Sequence, residues 1–296
     1  MTSSPGQKKS DSDLLRIALA GVAAMTAATC THPIEVVKTR KQIVGEAGRT
    51  TKQYGNTLDV ARKVLSEEGA AGLYKGIQAA WLRESVYSSL RLGLYEPFKR
   101  LLGATDPKNT PFWLKFVAAS SSGLLGSFLA NPFDLLKIRM QAQETKSMGL
   151  SWHVNEVYSK QGFFGFYRGV QATVTRAMIL NGVKLAVYDH IKHTIIGSGL
   201  LKDGKLTQFL SSVVAGVCMA IATAPFDLAR TRLMNQPTDQ KLYNGMVDCF
   251  VKIVRNEGPL ALYKGFTPQW MRFGPTTTIQ LVTWEALRRG FGMSGV

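Results

Sequence analysis

The sequence predicts an all-α membrane protein: six transmembrane helices in three pseudo-symmetric repeats, with three short surface helices. Two observations lead there. Three short phrases occur three times in the same order, and an uncharged stretch of 18 to 21 residues precedes each copy of the first phrase. The period of nearly a hundred residues is too long for the common solenoids, so each repeat is a unit with more than one helix.

The first phrase is Pro33-Ile-Glu35-Val-Val-Lys38-Thr-Arg40, then Pro132-Phe-Asp134-Leu-Leu-Lys137-Ile-Arg139, then Pro225-Phe-Asp227-Leu-Ala-Arg230-Thr-Arg232. The second follows after about thirty residues as Glu68-Gly69…Tyr74-Lys75-Gly76, Gln161-Gly162…Tyr167-Arg168-Gly169 and Glu257-Gly258…Tyr263-Lys264-Gly265. The third closes each repeat: Tyr95-Glu96-x-x-Lys99, Tyr188-Asp189-x-x-Lys192, Trp284-Glu285-x-x-Arg288. The repeats then occupy residues 14–105, 106–200 and 201–296. Residues 1–13 are polar, lack an apolar core and are expected to be a disordered tail.

The uncharged stretches are Ile17–Ile34, Phe116–Phe133 and Leu206–Phe226. Each has about the 20 residues that cross a bilayer. Their small residues, such as Gly21, Gly123, Gly126 and Gly216, let helix backbones approach closely in lipid. The second long segments, 77–100, 170–193 and 266–289, are helical in pattern but contain Arg83, Glu84, Arg91, Arg176, Lys184 and Arg272. Such charges must face protein or water, so these are spanning helices with one wet face around a shared cavity. Between the two long helices lies an amphipathic piece, such as 54–68 or 244–257, expected on the membrane surface.

Composition agrees without deciding. Hydrophobic residues are 45% of the chain and charged residues 19%, values that soluble proteins share. The 36 Lys and Arg against 20 Asp and Glu give a net +16, which calls for an anionic partner. Nucleic acid would explain the charge but not the apolar spans. Cys30, Cys218 and Cys249 are too scattered for a disulfide framework or a zinc site. The dispersed histidines His32, His153, His190 and His193 form no nucleophile–base arrangement or metal spacing, so neither an enzyme nor a cofactor is indicated.

The phrases have a physical sense. Pro33, Pro132 and Pro225 each remove a helix hydrogen bond and are expected to kink their helices toward a common axis. The acid two residues later and the base three after it share a helix face. Around an axis the bases can pair across helices as Glu35–Lys137, Asp134–Arg230 and Asp227–Lys38, closing a gate. The alternative is a local pair within each helix. Glu96, Asp189 and Glu285 with Lys99, Lys192 and Arg288 repeat the design at the other end. Two such rings with a midplane site between them are what alternating access requires.

These tripled phrases resemble the mitochondrial carrier family over about residues 14 to 290. The resemblance implies a multi-pass monomer of the mitochondrial inner membrane. It also implies a matrix-side network from the first phrase and a cytoplasmic-side network of Tyr95, Glu96, Lys99, Tyr188, Asp189, Lys192, Trp284, Glu285 and Arg288. It implies glutamine braces at Gln42 and Gln141, with Met234 departing from the pattern. Gln161 departs too, since an acid is usual there. Cardiolipin is the lipid implied, at helix N-termini near Gly72, Gly76, Gly165, Gly169 and Gly265.

The cargo follows from aligning the repeats. Arg83, Arg176 and Arg272 each lie twelve residues before the aromatic of the third phrase, so they stand at one height. Guanidinium groups grip carboxylates with paired hydrogen bonds. Eight residues beyond Arg83 lies Arg91, with Lys184 and Gln280 as equivalents; this position breaks the symmetry. The alternative is that the arginines pair with protein acids, yet only Glu84 is close in sequence. Arg91-Leu92-Gly93, Arg176-Ala177 and Arg272-Phe273-Gly274-Pro275 resemble the dicarboxylate, oxoglutarate and uncoupling-protein branch. Exchange of malate, succinate, malonate, oxoglutarate, phosphate or sulfate is the expectation. An uncoupling-type conductance is the rival, opposed by Ala28 and Lys184 where that group has acids. A non-transporting structural subunit is the third reading, opposed by intact phrases in all three repeats.

Overall fold

The computed structural model describes residues 5–46, 56–103, 111–143, 148–180, 205–237, 239 and 241–291; within them, the side chains of 5–14, 16, 17, 92, 112, 115, 116 and 205–215 are outside the description. Every repeat opens with a long helix containing the proline phrase: α1 (Pro5–Ile43), α5 (Phe112–Ala142) and α8 (Lys205–Asn235). A shorter helix follows: α2 (Thr57–Gly72), α6 (Leu150–Gln161) and α9 (Met246–Glu257). The closing helices are α3 (Ile77–Gly93) with α4 (Tyr95–Leu101), α7, described over 170–180, and α10 (Phe266–Gly290). Among the described residues there is no strand.

Two segments differ from the sequence expectation. Residues 5–13, expected to be disordered, are the first turns of α1. Pro5 suits the first helical position, where its missing N–H costs nothing, and no other proline intervenes before Pro33. The closing helix of repeat 1 is divided at Leu94 into α3 and α4. Pro97 cannot donate to the carbonyl of Gly93, which weakens the helix at that point. Pro33, Pro132 and Pro225 each lie inside a helix that continues beyond them.

The packing closes on itself. α1 lies against α3 and α10, α3 against α5, and α10 against α8, while the proline-phrase ends of α1, α5 and α8 meet one another. Gly126 on α5 faces α3, where an added Cβ would make ordinary contact at 3.6 Å with the Tyr87 carbonyl and the Arg91 nitrogen. The core sits at the proline-phrase ends. Leu135, Leu136, Ile138 and Met140 pack with Val157 of α6 and with Met234 of α8. Leu228, Ala229 and Leu233 pack with Tyr243, Cys249 and Ile253 around α9. No helix among the described residues is long and apolar enough to cross a membrane. α5 and α8 have 31 residues each, but their charged phrases and small polar residues keep hydropathy low.

Glycine in the second phrase sets how closely the repeats approach. Gly76, Gly169 and Gly265 have φ of 80°, 79° and 87°, the left-handed region where a side chain is strained. Each presses on the next repeat: added Cβ atoms would meet Gln141 Cγ at 3.4 Å, Met234 Cγ at 2.9 Å and Gln42 Cγ at 2.8 Å. Gly169→Ala should therefore destabilise the folded protein by about 1–3 kcal/mol. Gly21→Ala, where an added Cβ meets nothing within 4 Å, should not. Thermal unfolding in detergent compares the two.

Candidate functional site

The three proline phrases meet in a closed ring of ion pairs. Lys137 Nζ lies 2.7 Å from Glu35, Lys38 Nζ lies 3.4 Å from Asp227, and Arg230 pairs with Asp134. Each pair joins two repeats, so the ring runs 1–2, 2–3 and 3–1. The local alternative, Glu35 with Lys38 on one helix, is not what forms.

The three symmetric arginines complete the ring. Arg272 Nη1 donates to Glu35 at 3.0 Å, Arg83 Nε lies 3.3 Å from Asp134, and Arg176 donates to Asp227. Every acid is thereby held by two cations from two different helices. Arg83 also pairs with Glu84 and lies over the Tyr87 ring at 4.7 Å. The expectation that few acids were available to these arginines is corrected here: their partners come from other repeats, far away in sequence. Six bases face three ring acids and Glu84, an excess of two positive charges in a site where Asp134 and Asp227 are buried and Glu35 and Glu84 half-buried.

A second layer lies one turn further along. Thr39 Oγ1 donates to Gln141 Oε1 at 2.8 Å and Thr231 Oγ1 to Gln42 Oε1 at 2.7 Å. The two glutamines thus bond neighbouring helices, not the ion pairs themselves. At the third seam Ile138 and Met234 stand in these places and pack in one apolar cluster. The missing polar brace is replaced by an apolar contact.

Below this the last arginine of each phrase clasps the next repeat, a role the sequence reading left unassigned although the residue recurs three times. Arg40 donates to the carbonyls of Gln141 and Gln143 at 2.7 and 2.6 Å. Arg139 donates to Met234 and Gln236 at 3.1 and 3.4 Å, and Arg232 to Gln42 and Val44 at 3.1 and 3.3 Å. These carbonyls are helix-end acceptors with no partner inside their own helix. Glu68 holds Arg40 with two bonds and also pairs with Lys75; Glu257 does the same for Arg232 and Lys264. Gln161 occupies the corresponding place in repeat 2, and a neutral amide cannot form an ion pair with Arg139.

The comparisons with known proteins fit this threefold geometry. The family described as mitochondrial carrier protein matches residues 10–106, 108–199 and 202–295. The chain belongs to that family. It is 37% identical to the mitochondrial substrate carrier family protein ucpB of Dictyostelium discoideum, over 95% of this chain and 97% of that one. It is 39% identical to kidney mitochondrial carrier protein 1 of Xenopus laevis, over 91% and 95%. The mitochondrial 2-oxoglutarate/malate carrier protein of Caenorhabditis elegans is 31% identical, over 94% and 93%. The protein is thus a helical carrier of the mitochondrial inner membrane, a transporter built from three repeats and passing the membrane several times.

The described third phrases of the carrier, those of repeats 1 and 3, contain local pairs. Glu96 pairs with Lys99 of its own helix at 3.1 Å, and Lys99 lies over the Tyr95 ring. Glu285 pairs with Arg289, one residue beyond the expected Arg288, and Arg288 lies over Trp284 at 5.7 Å. Among the described residues these are local pairs, and the expected ring also includes Asp189 and Lys192. Tyr188, Asp189 and Lys192 lie outside the described residues, as do Lys184 and the Leu92 side chain. Arg91, Gly93 and Gln280 are exposed, and Ala177 is half-buried beside Arg176. Gly72 and Gly165 have a packing role of their own: added Cβ atoms would lie 2.6 Å from the Cβ of Glu68 and of Gln161.

Electrostatics at the clasp has a sign. Burial works to raise the Glu68 and Glu257 carboxyls, but hydrogen bonds and charges from Arg40 and Lys75, and from Arg232 and Lys264, outweigh it and hold both below the usual carboxylate range. A depressed acid contributes stability above its unfolded value and loses it as pH falls through the folded one. Gln161→Glu should add the absent pair and stabilise the carrier by about 1 kcal/mol near neutral pH. The gain should vanish on acidification below the carboxylate range. Melting curves of the variant and the parent at several pH values test both statements.

Proposed function

We propose that this carrier exchanges small dicarboxylates and oxoacids, among them malate, succinate, malonate and oxoglutarate, with phosphate and sulfate as further candidates. The observation behind this is the double holding of the ring acids. Arg83, Arg176 and Arg272 come from the three closing helices, and each shares an acid with a base of a neighbouring proline phrase. A dianion that takes Arg176 and Arg272 leaves Asp227 and Glu35 with one lysine each. The ring is loosened by the very act of binding, and only such differential binding can shift a conformational equilibrium. The first-phrase ring is the matrix gate in this reading, and the third phrases supply the cytoplasmic gate. Arg91, Lys184 and Gln280 vary between the repeats and select among dianions. The likeness to the 2-oxoglutarate/malate carrier of Caenorhabditis elegans supports this substrate class.

Lipid and assembly follow the same reading. The exposed Phe163, Phe164 and Leu260 beside the second phrases suit a membrane surface, with cardiolipin at the neighbouring helix N-termini. The helices close a ring within one chain, which suits a monomer.

Arg176→Ala and Arg272→Ala should each abolish malate–malate exchange in reconstituted liposomes while the purified proteins keep cooperative melting. Retained exchange in either variant removes the arginines from the site. A panel of malate, oxoglutarate, malonate, phosphate, sulfate and ADP against the parent protein decides the substrate class.

A further inference from the structure

His32 is fully buried just before Pro33, and its Nε2 lies 2.9 Å from the Lys75 carbonyl. A carbonyl only accepts, so Nε2 carries the proton and Nδ1 presents a lone pair. Nδ1 has no hydrogen-bond partner and lies 4.0 Å from Glu35 Oε2, the oxygen that Lys137 holds at 2.7 Å. Two acceptors therefore face each other at the ring. The charged groups around the imidazole are Glu35 on its own helix, Lys137 from α5 and Arg272 from α10. From the second phrase come only the Tyr74 ring, stacked at 6.1 Å, and the Lys75 carbonyl.

The symmetric positions show that the carbonyl tie does not need a histidine. Asn131 donates its amide to the Phe166 carbonyl at 2.8 Å, and the third equivalent is Ala224. What His32 adds is a titratable nitrogen next to one ring acid out of three.

We propose that His32 is the proton-accepting partner of Glu35, so that opening of the ring at the matrix mouth is accompanied by uptake of one proton. This rests on the reading of the ring as a gate. In the closed ring Lys137 and Arg272 already satisfy Glu35 and repel another positive charge. Opening separates α5 and α10 from α1, while His32 and Glu35 stay three residues apart on one helix. A solvent proton then binds the Nδ1 lone pair, and Nδ1–H donates to Glu35. The carboxylate keeps a partner throughout, which lowers the barrier to opening. Acid conditions favour the open ring, because the open state binds the extra proton.

The test uses the full-length protein in liposomes with equal pH on both faces. Malonate exchange is measured at roughly pH 6.5 and roughly pH 8.5, each variant normalised to its own alkaline rate; one linked proton allows up to about tenfold per pH unit. The parent should be roughly threefold or more faster at the acid end. His32→Asn and His32→Gln should show ratios near one, and melting confirms their folding. Equal ratios in the parent and both variants overturn the proposal while leaving the transport reading intact. Absence of exchange by the parent overturns the substrate reading instead. The proton link is then decided without substrate, by NMR of labelled histidine in detergent, with His32→Asn identifying the signal. In Lys137→Gln the His32 signal should titrate at higher pH than in the parent, and an unchanged titration overturns the proposal.

Discussion

Each acid of the proline phrases is held by two cations that arrive on two different helices, and the rest of the structure follows from this. A buried carboxylate stripped of its partner costs about 3–5 kcal/mol. With two partners, one can leave and the acid is still compensated. Glu35 keeps Lys137 when Arg272 turns away, and Asp227 keeps Lys38 when Arg176 does. In the proposed transport cycle the closing-helix arginines serve the anion while Lys137, Lys38 and Arg230 stay on the acids. A ring with one cation per acid would be either rigidly shut or electrostatically unstable when opened.

The seams between repeats are alike in plan and differ in their chemistry. Two of them have the threonine–glutamine bond and an acid behind the clasping arginine. At the seam between repeats 2 and 3 Ile138 and Met234 replace the polar pair, and Gln161 stands where the other repeats have the acid. The two changes are coherent. Ile138 and Met234 offer only apolar surface to each other, which suits their shared cluster. The Asp134–Arg230 pair and the arginine–carbonyl bonds still close that seam.

Much of this was legible in the sequence because it recurs. Three copies of Pro-x-acid-x-x-base at a period near a hundred residues fix the repeat count, the helix count and the likelihood of a ring, since three equivalent faces can meet only around an axis. The cyclic order Glu35–Lys137, Asp134–Arg230, Asp227–Lys38 could be named for the same reason. Recurrence could not disclose contacts between phrases of different kinds. Arg83, Arg176 and Arg272 are about fifty residues or more from the acids they meet, and no local spacing links them. The third phrases have the same three-residue spacing, and with the first-phrase ring closed Glu96 and Glu285 pair within their own helices.

By itself the sequence determined the periodic features: three repeats, a net positive charge that calls for an anion, and acids and bases placed on one helix face by a three-residue step. Periodicity is a local property, and a helix converts it directly into a face. Only the tertiary structure decided which groups share a proton or a charge. Whether Arg272 meets Glu35, or whether His32 turns an unbonded nitrogen toward the same carboxylate, depends on how closely the helices approach. That distance is set by Gly265 against Gln42, Gly76 against Gln141 and Gly169 against Met234, contacts that exist only once the three repeats have closed into a ring.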